Sequence, residues 1–329
     1  MKVLIWGDES RYRNHIPTLI LESSLELIFC PREQPLDTLF PQHADADFLF
    51  VDAIAPVSAD LIDKLPNLKL IHSEGVAYNS IDIAAAKAHN IFVCNNKGCN
   101  AAPTAEMAVM LMLMTLRFGI SGHNAVRSGE QITFKEHIMT AGSLELGDCT
   151  VGLVGFGDIA QAVARRLLPF GCQVYYYAPH RRSPETEADF SVQYLPLEEL
   201  FATCNIVSLH CAVTPETTGM VNESLLHKMK AGSILINTAR GDLIDNLAVR
   251  QALLDGTLGG AGFDVLAPEP TPATHPLVDL PEAIRDKVVY APHLGGITSS
   301  AFTRAHTNMF TSVYHMMQGE RPANVVNGL

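Results

Sequence analysis

A chain of 329 residues exceeds what one hydrophobic core usually serves, so two domains are expected. Hydrophobic residues at 47% against 18% charged fill both cores and exclude a disordered chain. With 35 acidic against 23 basic residues the formal charge is -12, and no run of lysine and arginine interrupts it, which argues against nucleic acid as a partner.

In chain order, the amino terminus MKVLIWGDES carries an apolar stretch too short for a signal peptide and reads as a first β-strand. Further short apolar, β-branched runs follow as FLFV (48–51), LKLIH (68–72) and IFVCN (91–95). The almost wholly apolar segment 104–118 reads as a buried helix between two lobes. The longest apolar run, 107–116, falls short of the roughly 20 residues that a membrane span needs, so no membrane partner is expected. A second series of strands reads TVGLVG (150–155), QVYYY (173–177), NIVSLH (205–210), SILIN (233–237), GAGFDV (260–265) and KVVYA (287–291). Strands alternating with helical patterns predict an α/β chain of parallel sheets. A last helical stretch, 299–317, is placed to return to the first lobe, although periodicity alone does not prove it. The seven cysteines show no CxxC pair and no metal-ligand rhythm. They read as small core residues of a reduced, cytoplasmic protein, and no metal is expected.

The segment VGLVGFGDIA sets Gly155, Gly157 and Ala160 in a GxGxxG/A arrangement between a strand and an amphipathic helix. Gly155 permits the tight turn, Gly157 lets backbone amides approach a pyrophosphate, and Ala160 lets the helix pack on the strand. Tight glycine turns also arise for structural reasons. Here strand, turn, helix and next strand all fall in place, which makes Gly155, Phe156, Gly157, Asp158 and Ile159 candidate dinucleotide-binding residues. Ala178 stands where an acid would hold the ribose 2'-hydroxyl of NAD. Arg181 and Arg182 follow, two fixed charges able to pair with a 2'-phosphate, so NADP(H) is favoured and NAD(H) remains an alternative. An ordinary solvated face is the bland reading of the same arginines.

Hydride transfer between a dinucleotide and an anionic substrate would require a cation to hold the anion and a group to exchange a proton. Arg240 follows a strand in NTARGDLID, and a guanidinium fork there suits a carboxylate. His293 follows a strand in APHLGG, and Glu269 lies in the Pro- and Thr-rich loop after GAGFDV. A carboxylate beside an imidazole favours the protonated ring, so Glu269 would keep His293 able to donate. With 13 histidines in the chain no single one is informative, but all three candidates follow strands of the cofactor lobe, where open sheets bind ligands.

Together these motifs resemble those of the D-isomer-specific 2-hydroxyacid dehydrogenases, from about Gly75 to Gly296. VGLVGFGDIA is similar to the family's dinucleotide turn, NTARGDLID to its arginine motif, GFDVLAPEP to its glutamate motif and APHLGG to its histidine motif. The resemblance implies Arg240 on the substrate, Glu269 on the histidine and His293 as acid/base. It implies two Rossmann-like parallel-sheet domains with a cleft between them: a discontinuous substrate domain, 1–99 plus 297–329, and a dinucleotide-binding domain, 100–296. It also implies a homodimer. The segment SEGVAYNSID resembles the substrate loop, with the amides of Val76 and Ala77 on the carboxylate. Implied cofactor contacts are Thr104, His210, Cys211, Thr217, Thr238, Ala239, Asp264 and Gly296, with Asp264 on the nicotinamide carboxamide.

The loop DAIAPVS (52–58) contains no lysine or arginine for a substrate phosphate. Glyoxylate or hydroxypyruvate is therefore favoured over a phosphorylated acid. Formate dehydrogenases resemble the family but carry glutamine where this chain has Glu269. The alternative from another class is a dinucleotide-sensing binding protein like the corepressors that share the scaffold; those rely on flanking disordered tails, and no such tail is expected here.

Overall fold

The computed structural model describes residues 1–35, 38, 40–53 and 55–329, so Ile54 of the loop 52–58 lies outside the described residues. The chain divides into two compact units, Met1–Cys99 with Thr298–Leu329, and Asn100–Ile297.

In the first unit, β1 (Lys2–Trp6), β2 (Glu26–Cys30), β3 (Phe48–Val51), β4 (Leu70–Ser73) and β5 (Phe92–Cys94) form a sheet ordered β2-β1-β3-β4-β5, parallel throughout. The central strands are continuous apolar runs because both faces are covered, and every residue of β3 is buried. On one face Leu4, Leu49 and Ile71 pack with Val57 and Ile62. On the other, Val3, Ile5, Phe48 and Phe50 pack with Met309, Phe310 and Val313 of the helix Ser299–Met317. Those three are spaced as one helical face, and they carry the end of the chain back to the first sheet.

The second unit holds β6 (Thr150–Val154), β7 (Gln173–Tyr177), β8 (Val192–Tyr194), β9 (Ile206–Leu209), β10 (Ser233–Asn237), β11 (Leu258–Phe263) and β12 (Val288–Tyr290). Their order is β12-β11-β10-β9-β6-β7-β8, again parallel. The expected α/β class is thus the observed one: two parallel sheets of five and seven strands. Helix Ala101–Leu116 buries Ala105, Ala108, Leu111 and Met112 against one face, which explains why its sequence is apolar nearly all round.

Two strands escape the sequence reading. β2 is an edge strand, ELIFC, largely half-exposed, and β8 has three residues, VQY. The run LIFC of β2 is as apolar as that of β3 and was legible, whereas the three residues of β8 are too few to show a run.

The order of the second sheet reverses between β9 and β6, the kind of junction where open parallel sheets bind ligands beyond their carboxyl ends.

Candidate active site

Three neighbouring strands, β10, β11 and β12, end in turns that carry Arg240, Glu269 and His293. After β10, Asn237 bends the chain: its Nδ2 donates to the Arg240 carbonyl at 2.8 Å and its Oδ1 accepts from the Ala239 N–H at 3.0 Å. Arg240 is exposed, and its Nη1 donates to the Ala239 carbonyl at 2.6 Å. Among the described residues no carboxylate pairs with it. At Gly241 a Cβ would lie 2.1 Å from the Ala267 backbone nitrogen, so only glycine lets this turn lie against the loop after β11. That loop is held in turn by Asn246 Nδ2 and His275 Nε2, each donating to the Ala267 carbonyl at 3.1 Å.

Past β12 the histidine turn is clamped by Asp264. Its carbonyl accepts the His293 N–H at 2.9 Å, and its carboxylate accepts the Leu294 and Gly295 N–H groups at 2.8 Å each. His293 sits at φ 55°, a left-handed conformation that costs a non-glycine residue energy and that the clamp over-determines. Its Nδ1 lies 2.8 Å from Glu269 Oε2. An ionised carboxylate only accepts, so Nδ1 carries the proton of that bond, and Nε2 is left without a partner among the described residues. Both side chains are about half exposed, at 49% and 44%, so solutes can reach them.

At the sheet's reversal, Gly155 adopts φ 96°, and a Cβ there would sit 2.7 Å from the His210 carbonyl oxygen at the end of β9. At Gly157 a Cβ would meet nothing within 4 Å, so the turn faces open space where a pyrophosphate fits. The helix Asp158–Leu167 starts there, with Asp158 exposed and Ile159 partly buried against the core. Phe156 is buried on Tyr176, ring centroids 4.4 Å apart, and offers a ligand only its backbone.

Five buried polar atoms in this unit lack a partner among the described residues: Ser233 Oγ, Asn246 Oδ1 and, on candidate cofactor contacts, Thr104 Oγ1, Thr238 Oγ1 and His210 Nδ1. Orphaned buried groups call for an explanation, and a polar ligand supplies one. The residues present therefore fit a dinucleotide. Burial drives the His210 pKa down to about 3 and the Cys211 thiol up to about 11, so both are neutral near pH 7. Thr217 closes its own loop, its Oγ1 donating to the Ala212 carbonyl at 2.8 Å. Ala239 is half-buried in the Arg240 turn, and a Cβ at Gly296 would meet Asn100 Nδ2 at 3.2 Å.

The two arginines differ. Arg181 is bidentate to Glu187, with both bonds at 2.8 Å, whereas Arg182 Nη2 donates to the Phe156 carbonyl at 3.1 Å, inside the glycine turn. Ala178 is buried.

In the first unit the residues of the expected substrate loop, Val76 and Ala77, follow β4. Beside them Glu74 is 6% exposed and holds three partners: His306 Nε2 at 2.8 Å, Arg11 Nη2 at 2.9 Å and Arg32 Nη2 at 3.4 Å. Arg32 also reaches Asp52 at 2.5 Å. Sequence reasoning missed this cluster, and no local signal joins residues from five separate segments.

The family of D-isomer specific 2-hydroxyacid dehydrogenases, through its NAD binding domain, matches residues 109–295. The chain belongs to this family. Within it, a glyoxylate reductase of Korarchaeum cryptofilum (strain OPF8) is 34% identical over 283 residues, covering 86% of this chain and 83% of that protein. A D-3-phosphoglycerate dehydrogenase of Mycobacterium tuberculosis (strain ATCC 25618 / H37Rv) is 35% identical over 294 residues, 88% of this chain but 53% of that protein. The solved glyoxylate reductase from Paecilomyes thermophila superposes with a TM-score of 0.84 at 27% identity, covering 99% of this chain and 98% of that one. As a 2-hydroxyacid dehydrogenase, the chain is an oxidoreductase that acts on CH–OH donors with a nicotinamide dinucleotide.

Proposed function

We propose that this dehydrogenase interconverts a small unphosphorylated 2-oxo acid, glyoxylate or hydroxypyruvate, and its D-2-hydroxy acid, with NADP(H) preferred over NAD(H). The observation that carries the reading is the 2.8 Å pair of His293 and Glu269 on turns adjoining that of Arg240. Unit Asn100–Ile297 is the dinucleotide-binding domain and Met1–Cys99 with Thr298–Leu329 the substrate domain.

Arg240 and the amides of Val76 and Ala77 hold the substrate carboxylate through charge-assisted hydrogen bonds. Glu269 fixes the imidazole orientation, and His293 Nε2 exchanges the proton with the substrate oxygen. The bound nicotinamide supplies or accepts the hydride. Thr104, Thr238 and His210 turn their unpartnered polar atoms to this cofactor, the glycine turn takes its pyrophosphate, and Arg182 takes its 2'-phosphate. Cys211, Thr217, Ala239, Asp264 and Gly296 complete the contacts.

Four observations support the finer assignments. Similarity to glyoxylate reductases, and an Arg32 charge already met by Asp52 and Glu74, favour a substrate without phosphate. Exposed apolar residues on the helix Gln131–Ala141 favour a homodimer. The cysteines are all free and six are buried, which suits a reducing cytoplasm.

The test is steady-state reduction of glyoxylate, hydroxypyruvate, pyruvate and 3-phosphohydroxypyruvate with NADPH and with NADH, for the parent enzyme and for His293→Ala. The expected outcome is highest kcat/KM for glyoxylate or hydroxypyruvate with NADPH. His293→Ala should lower kcat by about 10²–10⁴-fold with dinucleotide affinity retained. Undiminished turnover in that variant would remove His293 from the role; preference for the phosphorylated acid would overturn the substrate assignment.

A further inference from the structure

The turn after β4 shows an unusual division of its backbone groups. Every carbonyl from Ser73 to Ala77 is held from within the protein. Asn96 Nδ2 donates to Glu74 O at 2.9 Å and to Ser73 O at 3.3 Å, and the Asn96 N–H donates to Gly75 O at 2.9 Å. Asn95 Nδ2 donates to Val76 O at 2.7 Å, and Ser73 Oγ to Ala77 O at 2.6 Å. The N–H groups of Gly75, Val76 and Ala77, by contrast, meet no acceptor among the described residues. A row of consecutive amides with its carbonyls turned away and satisfied is an anion-binding concavity.

The two asparagines reach this turn because they lie just past β5, which runs beside β4 in register His72 to Cys94. Their own backbone is anchored by the carboxy-terminal segment: the Asn95 N–H donates to Asn324 O at 3.3 Å and the Val326 N–H to Val93 O at 2.8 Å. Asn96 is completely buried, yet its Oδ1 has no partner among the described residues. A side chain chosen for stability alone would not bury an unsatisfied oxygen. Its two side-chain donors both act on the turn.

We propose that Asn96, with Asn95 beside it, is the positioning residue that aims the amides of the 75–77 turn at the substrate carboxylate. The inference rests on the reading that those amides bind the carboxylate, and it adds the residues that set their direction. An aspartate at position 96 keeps the shape but replaces both donors with acceptors facing two carbonyls. The turn must then rotate away.

The experiment measures kcat, KM for glyoxylate and NADPH affinity for the full chain carrying Asn96→Asp, Asn96→Ala or Asn95→Ala. Expected is a rise in KM of about 10- to 100-fold for the Asn96 variants and a smaller rise for Asn95→Ala, with NADPH affinity unchanged, because small misplacements of binding groups cost that much. A purely structural defect lowers kcat through the folded fraction and leaves KM alone, so the KM–kcat split separates the two. Should the Asn96 variants fail to fold, Asn95→Ala, which removes a single bond to the turn, carries the test. An unaltered KM in folded variants of a parent enzyme that reduces glyoxylate overturns this proposal alone; a parent enzyme that reduces no 2-oxo acid overturns the functional reading instead.

Discussion

Adjacent arginines with the same chemistry take different tasks in this fold. Arg181 uses both edges of its guanidinium on Glu187, which also accepts from Tyr176 Oη at 2.8 Å, and so braces the segment after β7. The Glu187 carboxyl is held below the usual carboxylate range by that guanidinium. Arg182 lies against the glycine turn instead, donating from Nη2 to a neutral carbonyl, so its charge meets no acid among the described residues. The 2'-phosphate proposal therefore narrows to Arg182. Arg182→Ala is expected to weaken NADPH by about 10- to 100-fold, the value of a charge-assisted hydrogen bond or two, and NADH by much less. Fluorescence titration of both cofactors checks it, and equal losses would dismiss the role.

At the scale of elements, the helix Gln131–Ala141 stands out because it contains no buried residue. It nevertheless presents Ile132 at 61% and Met139 at 74% exposure, and Val126 on the preceding helix Gly119–Arg127 is 60% exposed. Apolar side chains grouped this way on a monomer's surface mark an association site. The double variant Ile132→Asp, Met139→Asp is expected to sediment as a monomer where the parent chain sediments as a dimer. A parent chain that is itself monomeric at micromolar concentration would sink the proposal. Helix Ala101–Leu116 is the opposite case. Its even spread of apolar residues was legible as burial, because a helix covered on most sides needs no polar face.

For the molecule as a whole, acid sensitivity follows from two desolvated histidine rings, one in each unit. Burial lowers His72 to about 4 and His210 to about 3, from an ordinary 6.5. Both are neutral when folded and protonate when unfolded below 6.5. The unfolded state then binds more protons, and stability rises with pH across that window. On acidification the loss starts as pH falls through 6.5, and by pH 4 it amounts to about 3 kcal/mol per histidine. Thermal unfolding followed by circular dichroism should show a midpoint dropping steeply between pH 6.5 and pH 4. A flat midpoint there contradicts the assignment of neutral, desolvated rings.

The amino-acid sequence by itself determined the α/β class and the glycine turn after β6, because both are written in local periodicity and in the spacing of small residues. It also marked Arg240, Glu269 and His293 as residues that follow strands of one lobe. What it left open are contacts set by distant segments. Strand order joins β10, β11 and β12 at one edge, and the turn at Gly241 lies on the loop that carries Glu269. Only the folded chain brings Glu269 within 2.8 Å of a ring 24 residues away, ties Glu74 to His306 across 232 residues, and sets Asn96 under a turn more than 20 residues earlier. Such contacts leave no local trace, since a buried polar side chain is chosen to suit neighbours that the order of residues does not reveal.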